Sequence, residues 1–333
     1  MDSRLIRIAC AGFLLVTVLC GTVWQVAAQE IESDEAPRYL GGHLFIPSAV
    51  VPDPFISTTF GSTTGFGQAV GLKVPIRNLD GEKIGELEGD IGFMLLEFGY
   101  QQKIAHNFAL RAGALATARM GTSAEAILSE GISALYGYDL GASARLLRKR
   151  NWQVSANVSL RGNTLYTMSP LAFARAVVEA YQGGDSTGAV QTAQDSLLGT
   201  GTNLRVLGGL RGAYTPAEWI GFIGFVEGGM GERFQEGEDQ TSVINVGGTI
   251  SFDLNPLTRT PIGLLATFRS ESLSERGDDT VGHSRSYGFG IFYTGRRFFS
   301  IGLDNTWSQI SQLQADTKVD VVQGRFVLRY DFE

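Results

Sequence analysis

Nine arginines are the residues of this chain best placed to do chemistry together. Arg111, Arg119, Arg145, Arg161, Arg205, Arg211, Arg269, Arg325 and Arg329 each fall on the polar phase of a segment in which apolar and polar residues alternate. Only five of the 27 basic residues are lysine. The cations are therefore nearly all guanidinium, which is weakly hydrated and offers a planar fork to carboxylate or phosphate. The same phase carries the acids Glu97, Asp139, Asp253, Glu271, Asp304 and Asp331. Nine against six is a modest cationic excess, compatible with recognition of anionic or zwitterionic solutes or with arginines that pair with the acids and brace a wall.

Other chemistries find little support. The three histidines are His43, His106 and His283. In an extended strand the same-face neighbour of His283 is Arg285, while Ser284 and Ser286 point the other way, so a serine–histidine pair would need a one-residue bulge. No phosphate loop, cysteine cluster or metal-binding helix motif occurs, and no cofactor and no metal site is assigned. Both cysteines, Cys10 and Cys20, lie in the first 20 residues. The sequence thus points away from an enzyme.

The elements that must position the arginines are strands. In Val319–Phe332, one phase reads Val322, Gly324, Phe326, Leu328, Tyr330 and Phe332, and the other Gln323, Arg325, Val327, Arg329 and Asp331. The pattern recurs, predicting strands at 66–75, 91–103, 107–119, 134–147, 151–164, 203–215, 218–230, 243–254, 260–271, 284–295, 297–308 and 319–332, about twelve in all. The segment 218–230 is the least regular, because Phe222, Ile223, Phe225 and Val226 occupy both phases. Pro75, Pro216, Pro256 and Pro261 fall at strand ends or in turns.

Links between these strands alternate short and long. The short ones lie near Ala105, 148–150, 216–217, 255–259 and Arg296; the long ones span 76–90, 120–133, 165–202, 231–242, 272–283 and 309–318. In an even antiparallel set this puts every long loop on one side and both ends of the set on the other.

Upstream, Arg4 and Arg7 precede an apolar run from Ile8 to Leu19, and Val26-Ala27-Ala28 supplies small residues before Gln29, so residues 1–28 read as a cleaved signal peptide. Losing Asp2, Arg4 and Arg7 leaves 25 basic and 33 acidic residues, a net charge of −8, which argues against a nucleic-acid partner. Residues 29–64 hold Pro37, Pro47, Pro52 and Pro54 with the apolar run Leu44-Phe45-Ile46, an irregular leader that fits either a periplasmic tail or a plug.

In its signal peptide, in the loop rhythm of 66–332 and in the closing Tyr330-Asp331-Phe332, the chain resembles the bacterial outer-membrane β-barrel proteins as a class. It departs from them in that Glu333 follows the last aromatic residue. The resemblance implies an all-β fold, a transmembrane antiparallel up-and-down barrel over 65–333, located in the outer membrane. It further implies contact with outer-membrane lipid and lipopolysaccharide, and recognition of the C-terminal strand by the barrel-assembly machinery. It transfers no catalytic residue. Trp152, Trp219 and Trp307 then fall where interfacial aromatics belong.

Barrels of about 8 strands are filled by side chains and those of 16 to 18 enclose open water, so about twelve leave a narrow lumen. The long loops are expected to carry short helices. In 165–202, Ser169-Pro170 starts one and Phe173, Val177 and Tyr181 share its face, forming a constriction or an apolar site. The 76–90 and 231–242 loops are acidic and the short turns basic. The expected function is a passive channel or transporter for a small-molecule solute, anionic or zwitterionic. The alternatives are a closed structural or surface-binding barrel and a carrier of hydrophobic, lipid-like ligands.

Overall fold

The computed structural model describes residues 37–77, 83–122, 132–168, 198–231, 241–275, 281–311 and 318–332. A short hairpin, β1 (Tyr39–Leu40) and β2 (His43–Leu44), precedes twelve long strands. These are β3 (Thr58–Arg77), β4 (Lys83–Ala105), β5 (Phe108–Gly121), β6 (Ile132–Lys149), β7 (Trp152–Met168), β8 (Leu198–Ala217), β9 (Ile220–Gly231), β10 (Thr241–Asp253), β11 (Ile262–Glu275), β12 (Val281–Arg296), β13 (Phe299–Ser311) and β14 (Lys318–Phe332). Each pairs antiparallel with the next, and β14 pairs β3 from Asp320↔Val70 to Phe332↔Thr58, closing an up-and-down barrel. Closure leaves no unpaired strand edge, which hydrocarbon could not solvate.

The two phases separate as the alternation requires. Phe66, Leu110, Tyr136, Leu140, Val246, Phe289, Leu303 and Phe326 are exposed on the outer wall. Aromatic stacks mark the two rims of this apolar belt. On one, Tyr287 lies between Phe268 and Trp307, with ring centroids 5.4 and 5.6 Å away. On the other, Trp152 lies 4.3 Å from Tyr214. The short links are two-residue turns after β4, β6, β8 and β12, while the β10–β11 link holds the single-turn helix α1 (Asn255–Thr258), started by Pro256.

Most strands run a few residues past the ranges read from the sequence, and the starts of β3 and β4 shift furthest. β3 begins at Thr58, so residues 58–64, grouped above with the leader, are barrel wall. Glu86, Glu88 and Asp90, assigned to a loop, lie in β4, whose ladder with β3 continues to Arg77↔Lys83. Beyond the apolar belt neither face need be hydrophobic. The period-2 signal fades there while the hydrogen-bonded ladder persists.

Residues 37–57 fold into one end of the lumen. Gly41 and Gly42, at φ 56° and 87°, turn the β1–β2 hairpin. A Cβ at Gly41 would lie 2.8 Å from both Asn151 Oδ1 and Thr215 Cγ2, so the hairpin sits tightly against the short-turn rim. Leu40, Phe45, Val51 and Phe55 then pack on Ala213, Ile223 and Phe225, and Ile46 packs on Leu265, Phe292 and Val327. This explains the irregular phase of β9: Phe222 and Val226 face out, while Ile223 and Phe225 face in to meet the leader.

The packing predicts a substitution effect. A Cβ at Gly221 would lie 2.4 Å from His43 Cδ2 and 2.6 Å from Phe45 Cε1. In Gly221→Ala the leader should loosen while the barrel stays closed. Trypsin should then cut at Arg38 in the folded variant much faster than in the parent, and equal cutting rates would contradict the docking.

Candidate functional site in the barrel lumen

Above the leader the lumen opens into a cavity of about 520 Å³. Six guanidiniums line it, from Arg111, Arg161, Arg211, Arg269, Arg325 and Arg329, against four carboxylates, from Asp53, Glu97, Asp139 and Glu227. The wall keeps an excess of positive charge.

Consecutive strands build one side of the cavity into a ladder of alternating charge. From β5, Arg111 Nη2 lies 3.1 Å from Asp139 on β6, and from β7, Arg161 Nε donates to the other oxygen of Asp139 at 2.9 Å. Arg161 also faces Glu227 on β9 at 3.8 Å, and Arg211 on β8 donates to Glu227 at 2.7 Å. Asn157 Nδ2 completes the Glu227 shell at 2.9 Å. Gly209 makes the room, since a Cβ there would fall 2.9 Å from Glu227 Cγ. Across the lumen, Arg269 and Arg205 share Glu271 at 2.8 and 3.7 Å.

A second chain of charges ties the leader to the wall. Arg38 donates to Asp331 at 2.8 Å, to Ser300 Oγ at 3.0 Å and to the Phe45 carbonyl at 2.7 Å. Arg329 bridges Asp331 and Asp53. Further along, the Ala49 amide donates to Asp304 at 3.0 Å, Gln101 donates to the carbonyls of Phe55 and Ser57, both at 2.9 Å, and Gln153 to that of Pro54 at 2.7 Å. Burial lowers Arg38 below its ordinary value despite Asp331. Burial would raise the Asp53 carboxyl, but Arg329 and Arg38 bring it below the ordinary carboxylate value.

The residues singled out in the sequence do not form one group. Arg111, Asp139, Arg161, Arg211, Arg269, Arg325 and Glu97 line the cavity, and Arg205 stands beside it. Arg329 and Asp331 serve the leader, as does Asp304 through Ala49. Arg145 is buried and approaches His106 at 3.5 Å, with no carboxylate partner among the described residues. Arg119 is exposed near the far end of β5 and has no ion pair among the described residues. Asp253 accepts from Thr294 Oγ1 and the Asn255 amide and so belongs to the α1 turn. Phe173, Val177 and Tyr181 lie outside the described residues.

Three charges escaped the sequence reading. Glu227 was hidden in β9, where both phases look apolar, and Arg38 and Asp53 sit in a leader without periodicity. His283 and Arg285 face outward, while Ser284 and Ser286 face the lumen. Pairing of β12 runs unbroken from Val281 to Tyr293 against β11, so no bulge brings a serine to His283.

No protein-family model and no curated protein matches the chain. Solved structures do match. An outer-membrane channel from Pseudomonas putida F1 aligns over 86% of this chain and 100% of that one, at 10% identity and a TM-score of 0.53. The translocator domain of the autotransporter NalP from Neisseria meningitidis aligns over 83% and 88% of the two chains, at 15% identity and a TM-score of 0.47. The transport unit of the autotransporter AIDA-I from Escherichia coli aligns over 88% and 95%, at 10% identity and 0.49. The architecture is that of a bacterial outer-membrane β-barrel, a class of protein that sits in the outer membrane.

His43 is the titratable group on which leader docking turns. Its ring nitrogens meet the Glu218 carbonyl at 3.0 Å and Ser251 Oγ at 2.8 Å, and its edge meets Phe45. Burial lowers its pKa to about 4. Because the docked value lies below the undocked one, docking is strongest above about pH 6.5 and weakens as pH falls toward 4, by about 3 kcal/mol in all. Asp53, already held low, keeps its charge over most of that window. Acidifying from neutral pH toward 4 should therefore loosen the leader in the parent protein, read as faster cleavage within residues 37–57 by an acid protease, and leave His43→Gln unresponsive; the same change in both would exclude His43 as the cause.

Proposed function

We propose that the protein is a passive channel for small anionic or zwitterionic solutes, with the guanidinium-rich lumen as its selective wall. The excess of six guanidiniums over four carboxylates around the cavity carries this reading. Solute collects in the cavity from the long-loop side, and passage to the other side requires displacement of residues 37–57. The Pseudomonas putida barrel of the same architecture is itself a channel, which agrees with this assignment. The expected contacts with lipopolysaccharide and with the barrel-assembly machinery belong to the same reading.

A second reading, a closed structural barrel, draws on the buried leader and on the pairing of Arg111, Arg161 and Arg211 with acids. Arg325 favours the channel, because among the described residues it makes no ion pair and its Nε is buried without a partner. The discriminating measurement is the reversal potential of the refolded protein in a planar bilayer under a salt gradient. Anion preference is expected, and Arg325→Glu, which brings the lining to five charges of each sign, should abolish it. A silent barrel, or a preference unmoved by Arg325→Glu, would favour the structural reading.

A further inference from the structure

A smaller recess of about 210 Å³ opens in the lumen wall where β11, β12, β13 and β14 meet the tip of the leader at Ala49 and Val50. Its polar lining consists of Arg269, Arg325 and the hydroxyls of Ser284, Ser286, Thr306 and Ser308, with Glu271 at the edge. The register creates this patch: Arg269, Ser286 and Ser308 stand side by side on β11, β12 and β13, and Gly288 next to Thr306 keeps the adjoining row small. Arg325 enters from β14, opposite Asp304.

The bonding inventory is unequal. Glu271 is already shared by Arg269 and Arg205. Among the described residues Arg325 hydrogen-bonds only to Gln323 and leaves Nε buried and unmatched. Ser308 donates to Ser286 at 2.8 Å, while Ser284 and Thr306 have no hydroxyl partner among the described residues. The lining of the recess therefore holds two guanidiniums to one carboxylate and retains open hydroxyl capacity, with Asp304, one of whose oxygens is buried without a partner, opposite Arg325 on β13. Its one lining acid, Glu271, carries two guanidiniums and is not free for an ammonium group.

We propose that this recess binds a small hydroxylated carboxylate, with Arg325 and Arg269 taking the carboxylate and the serine and threonine hydroxyls taking the ligand's own hydroxyls. The proposal rests on the reading of the lumen as a solute pathway and narrows its solute class, selecting hydroxy acids over zwitterionic amino acids. A buried guanidinium with unused donors gains most from a charged acceptor. The flanking hydroxyls supply the donors and acceptors that a polyol chain requires.

The test is calorimetric titration of the full mature chain in detergent micelles with gluconate, acetate, glucose and glycine. Gluconate should bind, acetate more weakly, and glucose and glycine not measurably. Arg325→Gln should weaken gluconate about tenfold or more, as loss of a charge-assisted contact implies. The double variant Ser286→Ala/Ser308→Ala should weaken gluconate several-fold and leave acetate unchanged. Should Arg325→Gln fail to fold, Thr306→Asp, which supplies an internal carboxylate, should abolish gluconate binding. Equal binding of gluconate and glucose, gluconate affinity unmoved by Arg325→Gln or Thr306→Asp, or no gluconate binding at all would overturn the site. Bilayer conductance of the same preparation separates the two readings: conductance without gluconate binding overturns the site alone, while gluconate binding without conductance upholds the site and overturns the channel.

Discussion

Hydrocarbon offers no hydrogen bonds, and that one constraint governs everything else in this molecule. Every backbone donor and acceptor at membrane depth must be paired within the protein, so the twelve long strands close on themselves through β14 and β3. Once closed, the sheet has two chemically different faces, and each strand must send its apolar phase outward and its polar phase inward. Guanidiniums at the depth of the apolar belt have nowhere to go but the lumen. A narrow lumen then brings them within reach of carboxylates on neighbouring strands, which is how Arg111, Asp139, Arg161, Glu227 and Arg211 come to form one ladder.

The leader answers the same constraint from inside. At the short-turn end, inward positions such as Ile223, Phe225, Leu265 and Phe292 are apolar and would otherwise face water, and Leu40, Phe45, Ile46 and Phe55 cover them. Burying one such side chain contributes roughly 1.5–3 kcal/mol. The ion pairs act differently. A buried pair roughly offsets its own desolvation, yet removing one partner strands the other charge at a cost of about 3–5 kcal/mol. The chain Arg38–Asp331–Arg329–Asp53 therefore fixes where the leader sits more than it adds to docking strength. Docking that depends on registry and on a neutral His43 weakens as pH falls.

Much of this was legible in the sequence wherever one face of a strand had to be apolar. The alternation of β14 and β10, and the rhythm of short and long links, led directly to a twelve-stranded barrel. The signal failed where the physical requirement lapsed. Residues 83–90 extend the β3–β4 ladder past the apolar belt, and nothing in their composition separates strand from loop there. Inside β9 the second apolar phase reflected packing on the leader, and it concealed Glu227, the carboxylate that joins Arg161 to Arg211. The leader has no period to read, so Arg38 and Asp53 were invisible as partners of residues 276 to 293 positions away. Which arginines pair and which stay open depends on registers that composition does not encode. Arg325 and Arg329 are four residues apart on one strand face, yet one is fully engaged and the other is not.

If the barrel is the channel proposed, residues 37–57 close a path that opens when they move. The most direct measurement joins the leader to the wall with a removable bond. A Cβ at Gly263 would lie 3.1 Å from Ile46 Cγ1, so Ile46→Cys with Gly263→Cys brings two thiols within disulfide reach in a chain expressed from Gln29, which has no other cysteine. Single-channel conductance should be absent in the oxidised protein and appear on reduction. Equal conductance in both states, with the disulfide verified by mass, would contradict the account and place the solute path elsewhere.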